Sequence, residues 1–76
     1  MHVKVYVTPK NGVLDPQGKA IEQALGDLGF EGVSEVRQGK VIELQLADDT
    51  DQEDIKEMCE KLLSNPVIED YEISIA

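Results

Sequence analysis

The apolar pattern changes its period once in the first third of the chain, and that change limits the possible folds more than any other feature. Val3, Val5 and Val7 alternate with His2, Lys4, Tyr6 and Thr8, the two-residue period of a strand with one buried face. Beyond a turn-forming Pro9-Lys10-Asn11-Gly12, the positions Ala20, Ile21, Ala24, Leu25 and Leu28 recur at helical spacing. The switch lies within Val13-Leu14-Asp15-Pro16-Gln17-Gly18. Asp15 can accept from the free amides of a first helical turn, and Pro16 has the φ that turn needs, so the hexapeptide predicts a helix entrance. Gly29 then stands where a left-handed cap would end the helix. Gly18 fits poorly, because glycine in a helix costs about 1 kcal/mol relative to alanine. A contact with a partner backbone or a ligand would explain it.

Gly32 leads into a short second strand, Val33 to Arg37, whose Val33 and Val36 differ in parity and cannot share a face without a bulge. Gln38-Gly39-Lys40 reads as a tight hairpin turn, and Val41 to Leu46 as a third strand with Ile42, Leu44 and Leu46 on its core face. Thr50 and Glu53 have capping-box spacing before a helical stripe of Ile55, Met58, Cys59, Leu62 and Leu63. That helix must stop by Asn65, ahead of Pro66, and Val67 to Ile75 is the fourth strand. The order βαββαβ predicts one α+β domain over residues 1–76: a ferredoxin-like two-layer sandwich, with a four-stranded antiparallel sheet and both helices on one face. The reverse face would mix Tyr6, Thr8, Val41, Gln45 and Ile68 with charges. Tyr6, Val41 and Ile68 make it apolar enough for self-association.

Seventy-six residues approach the lower limit for an unstapled core, and the single cysteine, Cys59, can form no internal disulfide. Part of the apolar surface is therefore expected to be covered by another chain. Cys59 falls on the second helical stripe and reads as a buried thiol in a reducing compartment. The net charge is −9, all of it from residues 43–76, which hold 11 acids and two bases. Nucleic acid and anionic membrane are thus unsuitable partners. Met1 leads directly into a strand, leaving no room for a signal peptide, and no apolar run approaches the 18 or so residues of a spanning helix, so the expected location is cytoplasmic.

Catalysis needs convergent polar groups of matched pKa, and few candidates exist. His2 is the only histidine and sits beside the terminus, while Ser34 and Ser74 have neither a base nor a glycine elbow nearby. Asp48, Asp49, Asp51, Glu53 and Asp54 depart from the EF-hand spacing and read better as acids at a helix start. Aromatics for stacking RNA bases are lacking on the central strands, and Thr8-Pro9-Lys10 stands where a metal chaperone would have two cysteines. No catalytic residue, metal site or cofactor is expected in this chain. The polar and glycine positions near loops, Asp15, Gln17, Gly18, Arg37, Gly39 and Lys40, are the candidate partner contacts.

These same residues carry a resemblance. Gly12-Val13-Leu14-Asp15-Pro16-Gln17-Gly18 with Ala20, Ala24-Leu25 and Leu28-Gly29, then Val36-Arg37-x-Gly39-Lys40 and Glu43-Leu44, is similar to the PurS family. Asn65-Pro66-Val67-Ile68-Glu69-Asp70-Tyr71-Glu72 matches the closing stretch of that family. The resemblance implies the small subunit of phosphoribosylformylglycinamidine synthase, which serves the fourth step of de novo purine synthesis. It implies a non-catalytic adaptor, a homodimer or a pair of dimers. The adaptor would join the glutaminase subunit PurQ to the synthetase subunit PurL, which use the glutamine, ATP and Mg, and would help secure the ammonia route. A ligand-sensing module of the ACT type shares the topology and is the alternative.

Overall fold

The computed structural model describes residues 1–76 as three strands and two helices. They are β1 (His2–Pro9), α1 (Pro16–Asp27), β2 (Lys40–Gln45), α2 (Gln52–Met58), which runs on as a π-helical turn over Cys59–Leu63, and β3 (Glu69–Ile75). The alternation in β1 places that strand at the centre of an antiparallel sheet of order β2-β1-β3. Across the sheet, Leu44, Val3 and Ile75 share one register row, and Ile42, Val5 and Ile73 share the next. Helix α2 covers these rows with Ile55 and Cys59, which are fully buried together with Val3 and Val5. Each such aliphatic side chain contributes about 1.5–3 kcal/mol, so this small cluster dominates what one copy can supply for its own stability.

Two expectations need correction. The sheet has three strands and not four, because Val33 to Arg37 forms no strand and pairs with nothing. Glu35 lies in its middle with φ of 54°, a left-handed conformation that breaks extended geometry between the two out-of-phase valines. Gln38-Gly39-Lys40 consequently joins no hairpin, and leads from an irregular segment into β2. The second correction concerns the layers. Helix α1 does not lie over the sheet beside α2: none of its residues joins the core, and Gly18 is its only buried position.

Helix α1 instead forms an arm with the segment that returns from it. The radius of gyration is 15.6 Å and the long axis 50 Å, whereas a compact chain of this length would have a radius of about 11 Å. Ile21, Leu28 and Phe30 are exposed by 40%, 74% and 59%, leaving the apolar stripe of the arm without cover from its own chain. The helix ends at Leu28, with Gly29 left-handed as the sequence predicts.

In the second half, α2 is capped by Asp51, whose carboxylate accepts from the Glu53 amide at 3.0 Å. Thr50 does not serve as the cap; its hydroxyl donates to the Ala47 carbonyl. The π-helical turn closes with the Ser64 amide and hydroxyl both donating to the Cys59 carbonyl, at 2.8 and 2.9 Å. This wider turn rotates the stripe, so that Leu63 packs on the core while Leu62 is left 83% exposed.

Candidate functional site at the neck of the arm

The outgoing and returning legs of the arm meet the end of the sheet at a neck, and the candidate contact residues gather there. Asp15 joins the two legs. One carboxylate oxygen, Oδ1, accepts from the Gly18 amide at 3.0 Å, which caps α1 as expected. The other, Oδ2, accepts from the Gln38 amide at 2.8 Å, 23 residues away on the returning leg. The Gln38 amide, then the Gly18 amide, and more weakly the Arg37 guanidinium, hold the Asp15 carboxyl below its usual range, against a smaller opposing effect of desolvation.

The glycines have a steric cause. A Cβ on Gly18 would overlap the Val36 carbonyl oxygen and the Asp15 carboxyl group, so the bare backbone is needed where the returning leg crosses the first turn of α1. A Cβ on Gly39 would likewise overlap the Val7 carbonyl oxygen, at the point where the returning leg passes the end of β1. On the outgoing leg, the Lys10 amide donates to the Ile68 carbonyl at 2.9 Å and its ammonium pairs with Asp70 at 2.7 Å.

Two open grooves flank this crossing. The larger, of about 540 Å³, has Asp15 and Arg37 in its wall with Lys10, Lys19 and Leu14. The smaller, of about 220 Å³, is lined by Gln17, Gly39 and Lys40 together with Val7, Gln38 and Glu69. The neck therefore assembles all six polar and glycine candidates, with Gly18 beneath them. Sequence reasoning missed Gln38, which contributes only its amide, and Lys10 and Lys19. The two lysines carried a signal, as they bracket the hexapeptide in sequence.

Tyr6 and Val41 are register partners on the reverse face of the sheet, 40% and 53% exposed. Ile68, 43% exposed, precedes β3 at the neck end and lies outside their row. Elsewhere the titratable groups offer little chemistry. Burial, and then Glu60, push the Cys59 thiol up, so it stays protonated inside the core. Desolvation and its hydrogen bond to Glu60 at 3.1 Å raise the Tyr71 phenol. His2 bonds Gln45 at 2.9 Å on the surface. No three metal-capable side chains converge, the acids after Ala47 included, and no helix is long and apolar enough to cross a membrane.

Known proteins share this design. Residues 2–76 match the family model described as PurS, phosphoribosylformylglycinamidine (FGAM) synthase. The synthase subunit PurS of Bacillus subtilis is 49% identical over 75 residues, covering 96% of this chain and 89% of the relative. A crystal structure of PurS from B. subtilis superposes with a TM-score of 0.86 over 96% of this chain and 94% of its own, at 51% identity. Agreement of that quality over nearly every residue includes the arm as well as the sheet. A structure described as PurLQS from Thermotoga maritima contains a chain 34% identical, with a TM-score of 0.78 over 97% of this chain and 96% of that one. The chain belongs to the PurS family of phosphoribosylformylglycinamidine synthase subunits.

Proposed function

We propose that this chain is a non-catalytic adaptor of the synthase, acting in the cytoplasm in the fourth step of de novo purine synthesis. It bridges the glutaminase subunit PurQ and the synthetase subunit PurL, which bind glutamine, ATP and Mg, and supports transfer of ammonia between them. The observation that carries this reading is structural incompleteness. The chain projects an amphipathic helix whose apolar stripe it does not cover, and the outer edge of β2 pairs with no strand. A relative solved within PurLQS supports the same assignment.

Self-association answers the incompleteness. In a homodimer, the arm of each copy would lie over the half-buried Ile42 and Leu44 of the other, alongside its open β2 edge. The second helix of the two-layer sandwich is then supplied by the other chain. Asp15, Gln17, Arg37, Gly39 and Lys40 remain at the neck for the larger subunits, while Tyr6, Val41 and Ile68 offer a further face for pairing dimers. Coupling follows from differential binding: a dimer that prefers the closed arrangement of PurQ and PurL raises the population that transfers ammonia.

Reconstitution with and without this chain tests the proposal. Omission should abolish glutamine-dependent synthesis and spare synthesis from added ammonium. Equal loss of both activities would overturn the coupling role.

A further inference from the structure

The neck raises a question that dimer formation alone leaves open. The apolar stripe of α1 can meet the half-buried flank of the sheet, at Ile42 and Leu44, either in its own chain or in a second copy. An arm that swung back about residues 10–14 and 38–40 would cover its own sheet and leave a closed monomer. Something must favour the extended arrangement, and the observations at the neck identify it.

We propose that Asp15 is the positioning residue that holds the arm away from its own sheet, by bonding both legs of the arm at once. This rests on the dimer reading above. Without the Gln38 bond, the legs touch where the Val36 carbonyl rests on Gly18, a packing contact with no hydrogen bond to fix its direction. With it, Gly18 and Gln38 share one carboxylate at 3.0 and 2.8 Å, and the arm moves only as a unit. The legs are fixed to the sheet by different contacts. Lys10 secures the outgoing leg through the Ile68 carbonyl and the Asp70 carboxylate, and the Gly39 backbone packs the returning leg onto the Val7 carbonyl. The clamp thus turns two flexible connections into a braced one, whose geometry points α1 outward. An ordinary N-cap would need only the first of the two Asp15 bonds. The second contributes nothing to the helix end, and its effect is on the direction of the arm.

The experiment compares the intact chain with Asp15→Ala and Asp15→Asn, by sedimentation equilibrium and small-angle scattering. Asparagine keeps a cap acceptor and cannot accept from both amides with two anionic oxygens, so it separates capping from clamping. The dimer dissociation constant should rise at least tenfold in Asp15→Asn and further in Asp15→Ala. The monomers of both variants should be more compact than the 15.6 Å radius of the extended chain. Unchanged association and unchanged monomer dimensions in Asp15→Asn would overturn the proposal, even if Asp15→Ala fails to fold. An intact chain that stays monomeric at every concentration would overturn the dimer reading instead. The clamp would then stand or fall on the scattering comparison, where contraction of the Asp15→Asn monomer supports it and identical dimensions refute it.

Discussion

The sheet with α2 and the arm with α1 are built from equally regular apolar patterns, yet one is a core and the other is a surface. Val3, Val5 and Val7 meet Ile55 and Cys59 within the same chain and lose essentially all contact with water. Ile21 and Leu28 on the helical stripe, with Phe30 just beyond the helix end, keep much of theirs. The difference shows that amphipathic periodicity specifies a need for cover and leaves open which chain supplies it. It also separates two kinds of stability, one intrinsic to a single copy and one that depends on concentration.

Truncation of matched residues in the two regions should expose that difference most clearly. Ile55→Ala removes a fully buried side chain from the only core and should cost about 3 kcal/mol in denaturant unfolding at every protein concentration. Ile21→Ala should leave unfolding of the dilute chain within about 0.5 kcal/mol of the parent and weaken self-association. Equal, concentration-independent losses in both would break the contrast.

A smaller effect is expected at the neck that joins the regions. Gly18→Ala gains helix propensity worth about 1 kcal/mol but sets a Cβ against the Val36 carbonyl, a backbone atom that cannot rotate away. Steric overlap should win, with a net loss of about 1–3 kcal/mol by thermal or denaturant unfolding. A stabilised Gly18→Ala variant would mean that the returning leg is not held against α1.

The smallest effect is electrostatic. Folding lowers the Asp15 carboxyl below its ordinary 3.8, through the Gln38 amide first and the Gly18 amide second. A group depressed in this way contributes stability above its unfolded value, and loses it as pH falls through the lower folded value. Carboxyl NMR titration should therefore find Asp15 among the last carboxylates to protonate, along with Asp48, which the terminal amino group lowers. An Asp15 that titrates with the exposed acids would show that its two hydrogen bonds are not maintained in solution.

The extent to which the sequence could reveal all this follows the same division. The alternation in β1 and the i, i+3, i+4 spacing around Ile55 gave strand, helix and mutual burial together, because each pattern had its complement within the chain. For α1 the helix and its Asp15 entrance were legible, and its placement was not. The parity clash between Val33 and Val36 already signalled an irregular strand, but the left-handed Glu35 that results is set by the path of the arm. At the neck, the misplaced Gly18 pointed to a close approach by a partner or ligand, and the structure supplies a backbone from within the chain. Local spacing could not identify the approaching atom as the Val36 carbonyl, or show that Asp15 bonds Gln38, since these depend on the chain doubling back. Leu62 was misread because one π-helical turn moves the stripe by a residue, which periodicity at 3.6 does not anticipate.

The open side of β2 has one more consequence. A strand at the rim of a sheet presents main-chain donors and acceptors to any extended peptide that arrives. Lys40 and Glu43 are the charges that β2 itself carries along that rim. A lone copy is thus open to strand addition along this rim, and any segment that pairs there closes it.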